Sequence, residues 1–296
     1  MPRWLRSGAA ASCVVLAAFL SCARPHVRAV VVASKNFTEQ AVLGELLAQR
    51  IEQFAHLPVE RRFYLAGTFI CNQAILAGRI DLYVEYTGTA LTAILKEPPS
   101  RDPAAVYEHV RAEYARRWNL AVFPSLGFEN SFAVVMREEE ARRLKVHALS
   151  QLAPFVHDWR MGVGYELIER PDGYPGLVKT YGLVFRQPPR LMDTGLLYRA
   201  LDEKQVDIIL ANATDGLISA LGLLALEDDK HYFPPYEAVP VVRAEALGEF
   251  PALRAAVEGL AGRISADDMR RMNYAVDGQH RDAAEVVREF LRTHNL

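Results

Sequence analysis

The chain has 296 residues, 51% of them hydrophobic, with 34 Lys and Arg against 36 Asp and Glu. That length and apolar content allow one or two domains with a large core and exclude a disordered chain. A formal net charge of −2 excludes a polyelectrolyte surface for nucleic acid or an anionic membrane, which leaves small or weakly charged partners.

Residues 1–26 stand apart from the rest. Arg3 and Arg6 precede an apolar run from Gly8 to Leu20 that ends in Ser21, Cys22, Ala23 and Arg24, the pattern of a secretory signal. Such a run is too short to cross roughly 30 Å of hydrocarbon as a helix, which takes about 20 residues. Two processing routes fit it. Cys22 directly after the run matches a lipoprotein attachment site, although Phe19 and Leu20 depart from the usual lipobox, while Ser21 and Ala23 suit an ordinary signal peptidase. Cys13 leaves with the leader, and an acylated Cys22 leaves Cys71 as the remaining thiol, with no intrachain disulfide. The sequence thus predicts an exported, periplasmic or extracytoplasmic chain, with Cys22 as candidate lipid anchor rather than a membrane span.

Beyond the leader, short β-branched runs alternate with amphipathic stretches, the pattern of α/β layers around parallel strands. Ala29–Ala33 reads as the first strand. The apolar positions Val42, Leu43, Leu46, Leu47, Ile51 and Phe54 then recur at helical spacing, so a helix starts near Glu39. Val59–Tyr64 reads as a strand, Thr68–Ala77 as a helix, Ile80–Tyr86 as a strand and Thr89–Leu95 as a helix. Asp102 and Pro103 open a long helix to about Trp118. Phe132–Met136, Val206–Leu210 and Ala238–Val242 read as further strands, and the stretch after Pro251 is helical almost throughout.

Sliding the chain against itself aligns Thr68–Leu91 with Thr194–Leu217 at a constant offset of 126 residues and without a gap. Thr68 meets Thr194, Asp81 meets Asp207, and Tyr86 meets Asn212. Each copy reads helix, Asp-led strand, polar turn, helix. Two similar lobes follow. Because ligands of open α/β sheets bind beyond the carboxyl ends of the strands, Tyr86 and Asn212 are expected on opposite walls of one cleft.

Two segments carry the chemistry. Ser34-Lys35-Asn36-Phe37-Thr38-Glu39-Gln40 puts a cation and several hydrogen-bonding groups where free N–H groups of the next helix point, and an anion could dock there. Asn36 or Thr38 equally serves as a plain helix cap with Lys35 solvated. Glu85-Tyr86-Thr87-Gly88-Thr89 ends a strand and opens a helix, with Gly88 permitting a tight turn and Thr89 presenting a hydroxyl. By itself a tyrosine ending a strand equally serves packing.

Together these blocks resemble the glycine betaine, carnitine and choline substrate-binding proteins of ABC importers, the osmoprotectant-binding family. The resemblance covers nearly the whole mature chain. It continues through Gly78-Arg79-Ile80-Asp81, Leu126-Gly127-Phe128, the run from Arg170-Pro171-Asp172-Gly173 to Leu177, Thr214-Asp215-Gly216, and Asp228-Asp229 leading to Phe233-Pro234-Pro235-Tyr236.

The resemblance implies a cage of aromatic faces for a trimethylammonium group, with cage positions at Tyr86, Phe132, Asn212 and Tyr236. It implies carboxylate-binding positions at Lys35, Thr89 and Arg170, and Asn130 is counted among the ligand-binding residues. The physics suits the cage: a quaternary ammonium donates no hydrogen bond, so an electron-rich ring face is its partner, at about 0.5–2 kcal/mol per contact. Phe132 keeps a ring face without the hydroxyl. Asn212 has no ring, which predicts a trimethylammonium ligand bound roughly 2- to 30-fold more weakly unless a neighbouring ring fills the gap, or a ligand with a polar group for the amide. Arg170 equally serves as a brace for the Asp172-Gly173 turn.

Catalysis and cofactors find little support. The eight histidines are scattered without metal-ligand spacing, Cys71 lies among apolar neighbours, Glu138–Glu140 reads as a solvated helix start, and there is no Walker loop or dinucleotide fingerprint. The expected architecture is an α/β, two-lobed type II periplasmic-binding-protein fold with a ligand cleft between the lobes. Lobe 1 is 27–128 with 236–296, and lobe 2 is 129–235. The expected protein is a monomer and not an enzyme, binding a small-molecule solute and meeting the membrane permease of an ABC importer. Two rivals keep this fold: a binder of another amino-acid-like or zwitterionic solute, and a receptor or enzyme not coupled to transport.

Overall fold

The computed structural model describes residues 28–296 except Pro171 and the side chain of Ser219. The leader and Cys22 therefore lie outside the described residues. Among the described residues ten strands form two five-stranded sheets, with helices interleaved between them.

The first sheet holds β1 (Val30–Lys35), β2 (Val59–Ala66), β3 (Leu82–Tyr86), β4 (Leu120–Val122) and β10 (Ala238–Arg243) in the order β2-β1-β3-β10-β4. The second holds β5 (Phe132–Arg137), β6 (Met161–Gly164), β7 (Arg190–Met192), β8 (Ile208–Asn212) and β9 (Leu223–Ala225) in the order β7-β6-β8-β5-β9. The two orders correspond position by position. In each sheet the first three strands run parallel and the last two pairings are antiparallel.

Local sequence explains these elements. β1 is a continuous Val-rich run, buried along its whole length because it sits inside a sheet covered on both faces. Val42, Leu43, Leu46 and Leu47 of the helix Thr38–Arg50 are fully buried. That helix packs on β1 and β2 and, on its outer side, on the helices Ala266–Asp277 and Ala283–Thr293. The helix Pro103–Trp118 starts as expected: the Asp102 carboxylate accepts the Ala105 N–H at 3.1 Å, and Asn119 ends it in the left-handed region at φ 55°.

The internal repeat has a structural counterpart. The helices Thr68–Leu76 and Thr194–Asp202, and the strands β3 and β8, share bounds displaced by the same 126 residues. The repeated aspartates explain themselves. Asp81 accepts the Val31 N–H at 2.8 Å and Asp207 accepts the Arg160 N–H at 2.7 Å, so each ties its turn back to the start of the sheet's central parallel strand.

Two segments cross between the sheets and run side by side. Glu129 and Glu237 form an antiparallel bridge, the Asn130 N–H donates to the Tyr236 carbonyl at 3.0 Å, and Leu126 N–H donates to the Ala238 carbonyl at 2.9 Å. The two crossing segments are thus hydrogen-bonded to each other where they pass between the sheets.

The expectations differ from the structure mainly at boundaries. β1 starts one residue later and ends at Lys35, and β3 starts at Leu82 rather than Ile80, because Asp81 is spent on the turn. The helix expected from Thr89 begins at Thr87 and continues from Ala90 to Ile94 as a wider, π-type turn. The strand expected from Val206 is Ile208–Asn212. Strands β4, β6, β7 and β9 were not expected; each has three or four residues, too short to show a period.

Candidate ligand cleft between the two sheets

A cavity of about 240 Å³ lies between the sheets, and all eight sequence-predicted residues line it: Lys35, Tyr86, Thr89, Asn130, Phe132, Arg170, Asn212 and Tyr236. Tyr86 and Asn212 end β3 and β8, so strand geometry sets them at equivalent places in the two lobes. Phe132 opens β5, and Tyr236 lies on the second crossover.

The rings form a packed group. Phe132 and Tyr236 meet edge to face with centroids 5.1 Å apart, and Phe233 lies behind Phe132 at 6.0 Å. Gly88 makes this packing possible. A Cβ there would stand 2.6 Å from the Pro235 carbonyl oxygen and 2.8 Å from the Tyr236 ring. Gly88 is thus needed for close approach, not for the tight turn expected from the sequence. Phe37 and Tyr165 also line the cavity, adding two rings to the three anticipated.

Both cations of the cleft carry a built-in counter-ion. Lys35 Nζ pairs with the buried Glu85 carboxylate and lies 5.1 Å from the Tyr86 ring centre. Arg170 presents Nε and Nη2 to Asp172 at 2.9 and 2.5 Å, donates to Thr89 Oγ1 at 3.2 Å, and lies 5.1 Å from the Phe132 ring centre. Tyr236 donates its hydroxyl to the same Asp172 at 2.6 Å. Burial disfavours the charged forms of Arg170 and Asp172, but their mutual hydrogen bonds outweigh it, raising the guanidinium pKa and lowering the carboxyl pKa. Arg170 therefore braces Asp172 and also lines the cavity.

Against the Tyr86 hydroxyl sits a carboxylate that the sequence had suggested only as part of a helix start. Glu39 is buried and accepts four hydrogen bonds: from Tyr86 Oη at 2.5 Å, Asn130 Nδ2 at 2.8 Å, Thr214 Oγ1 at 2.5 Å and Asn273 Nδ2 at 3.0 Å. These donors come from β3, from the first crossover, from the loop after β8 and from the helix Ala266–Asp277. Burial pushes the Glu39 pKa up even though all four donors pull it down. Asn130 is thereby committed: its amide also accepts the Thr214 N–H at 3.4 Å. Neither Asn36 nor Thr38 caps the helix by a side-chain bond; Thr38 donates instead to Asp277 at 2.6 Å.

Asp215 and Asp277 border a water-sized space beside Glu39. Burial raises both, Asp215 to about 7, with the neighbouring carboxylates adding to it. Sequence reasoning passed over Phe37, Tyr165, Glu85 and Asp172 as site residues. Glu85 and Asp172 each adjoined a residue already singled out, and the buried partner each cation requires is the signal that could have found them.

Among the described residues no group of His, Cys, Asp and Glu could hold a metal ion, and no helix is long and apolar enough to cross a membrane. The cleft can enclose a small solute, offering it ring faces interleaved with hydrogen-bonding groups.

Comparison with known proteins identifies relatives of the whole described chain. The chain is 33% identical over 262 residues to the carnitine transport binding protein OpuCC of Listeria monocytogenes, covering 87% of this chain and 84% of that one. It is 32% identical over 268 residues to the ergothioneine transport permease/ergothioneine binding protein EgtU of Helicobacter pylori, covering 90% of this chain and 48% of that longer protein. A crystal structure of a glycine betaine/carnitine/choline ABC transporter component superposes with a TM-score of 0.74 at 34% identity, over 90% of this chain and 98% of that one. The family described as the substrate binding domain of the ABC-type glycine betaine transport system matches residues 28–293, and the chain belongs to that family, OpuAC.

Proposed function

We propose that this chain binds a small quaternary-ammonium solute in the cleft and hands it to the membrane permease of an ABC importer. One observation carries the reading: Tyr86, Phe132 and Tyr236, joined by Phe37 and Tyr165, line a single cavity between two lobes. Ring faces are what a permanently charged, non-donating cation requires. A volume of about 240 Å³ lies below the roughly 300–1,000 Å³ of pockets for drug-sized ligands, which suits a solute of betaine size. The lobes are 27–128 with 236–296, and 129–235; they close on the ligand by turning at the paired crossovers. The protein acts outside the cytoplasm as a monomer, held to the membrane through Cys22 where that residue is acylated, and performs no catalysis.

Calorimetry with glycine betaine, choline, carnitine, ectoine, proline and ergothioneine tests this. At least one trimethylammonium solute binds tightly. Binding confined to proline or ectoine would remove the cage from its role.

Asn212 supports a second reading. It lines the cavity half-buried, where a ring was expected. An amide there suits a larger trimethylammonium solute bearing a second heteroatom group, such as the ergothioneine named in the Helicobacter relative. Tighter binding of ergothioneine than of glycine betaine selects this reading.

A further inference from the structure

The water-sized space beside Glu39 is walled by both lobes. Thr214 and Asp215, on the loop after β8, come from the second. Thr38 and Glu39 of the first helix, with Asn273 and Asp277 of the helix Ala266–Asp277, come from the first. The two sides touch here. A Cβ on Gly216 would stand 2.4 Å from the Tyr274 nitrogen and 2.5 Å from its Cα, so the loop lies directly on the helix. Across the main cavity the lobes meet again: a Cβ on Gly67, ahead of the helix Thr68–Leu76, would stand 2.1 Å from Oε1 of Glu166, in the turn after β6. Both contacts belong to a closed arrangement of the lobes.

Three carboxylates gather at this joint, Asp215 from one side and Asp277 and Glu39 from the other. Among the described residues none of them forms an ion pair with a Lys, Arg or His; the exposed His280 acts on Asp277 only through its charge. Glu39 has its four donors, and Asp277 has the Thr38 hydroxyl at 2.6 Å. Asp215 has only groups of its own lobe, the Leu217 N–H at 3.0 Å and the Tyr198 hydroxyl. Asn273 deepens the shortage of donors. Its Nδ2 is committed to Glu39 and to the Thr214 carbonyl, both at 3.0 Å, and its buried Oδ1, a further acceptor, has no partner among the described residues. The joint brings acceptors together without a donor between them, and a proton on Asp215 supplies one.

The neighbours of Asp215 push in opposite directions. Leu217 N–H and Tyr198, from its own lobe, favour the carboxylate, whereas burial and the charges of Asp277 and Glu39, from the other lobe, disfavour it. The second set wins, and lifts Asp215 from 3.8 to about 7. When the lobes part, water returns and the opposing charges leave, while the two favouring groups travel with Asp215.

We infer that closing the lobes takes up a proton from solvent, held by Asp215 against Asp277 and Glu39, so that every solute is bound more tightly in acid than at neutral pH. The inference rests on the functional reading above for the closure of two lobes on a solute. A group with a higher pKa in the closed form favours closing fully below its open-form value. That contribution is lost as pH rises to the closed-form value, here between about 4 and 7, by at most about tenfold in affinity per pH unit.

Calorimetry of choline and glycine betaine on the full exported chain tests this, because neither solute titrates in the range used. Two buffers of different ionisation enthalpy at each pH count the protons, and thermal melting verifies folding. Binding should take up close to one proton at about pH 6 and almost none at about pH 8. Both dissociation constants should rise by the same factor, at least about fivefold, between about pH 5 and 7. Asp215→Asn should remove most of the uptake and flatten the rise. Asp277→Asn, which takes one opposing charge away, should move the rise to lower pH. No uptake by the wild-type chain at about pH 6 overturns the inference even where a variant fails to fold, and so does an uptake that Asp215→Asn leaves unchanged; both outcomes leave the functional reading intact. Failure to bind either solute at any pH overturns the two together.

Discussion

Thr214→Val is a perturbation whose size follows from the structure. The Thr214 hydroxyl donates to Glu39 across 2.5 Å, from the loop after β8 in the second lobe to the first helix of the first lobe. Valine keeps the shape and removes the donor. Glu39 keeps three other donors, from Tyr86, Asn130 and Asn273, so the carboxylate is not orphaned. A hydrogen bond to a charged group contributes about 1.5–3 kcal/mol. Where it forms only when the lobes meet, its loss falls on the closed state alone, and each 1.4 kcal/mol is tenfold in affinity. The expected result is affinity lower by about 10- to 150-fold, the same factor for every ligand because Thr214 acts through Glu39, with little change in the melting temperature of the unliganded protein. Calorimetry and thermal melting read the two quantities. An unchanged dissociation constant with a lowered melting temperature would refute the reasoning, since the bond would then hold one lobe together rather than join two.

Three further expectations are independent of that one. Asn212→Tyr restores a ring at the carboxyl end of β8 and should strengthen trimethylammonium binding by roughly 2- to 30-fold; no gain means that Phe37 or Tyr165 already supplies the missing wall. Burial raises the Asp215 pKa from 3.8 to about 7, so the folded state keeps a proton that the unfolded chain has released. The stabilisation is fully present below pH 3.8 and is lost as pH rises through about 7. Asp215→Asn should therefore flatten the fall in melting temperature between about pH 4 and 7, and an identical slope in the variant would contradict this. Burial pushes the Cys71 thiol up to about 11, so a thiol reagent should label it at pH 8 only after unfolding; rapid labelling of the native chain would show the site to be open.

Much of this architecture was legible from periodicity and one internal comparison. Helix periods and a Pro at a helix start are local signals, and they gave the helix Pro103–Trp118 with its approximate end. The 126-residue offset was legible because Asp81 and Asp207 solve the same local problem, each holding a turn to the central parallel strand of its sheet. The three- and four-residue strands were hidden, because their pairing is decided by the sheet and not by their own composition. At the site, the rings and cations were legible from motifs, and the structure brings them to one cavity. Their counter-charges were harder to see. Glu85 and Asp172 neutralise Lys35 and Arg170 through contacts that depend on burial, and Glu39 gathers donors separated by as many as 234 residues. Glu166 reaches Gly67 only because two lobes face each other, which no local pattern encodes.

The strand order also dictates a timetable for folding. Strand β10 lies between β3 and β4, so the sheet whose first strand is at Val30 stays incomplete until Arg243 is available, whereas β5 to β9 need nothing outside residues 132–225. The lobe encoded in the middle of the chain can therefore assemble first, and the lobe that starts the sequence finishes last. Its closure waits on the pairing of residues more than 150 apart, a slow, high-contact-order step. A chain truncated before β10 would leave β4 without a neighbour and expose the open edge of β3 to other chains.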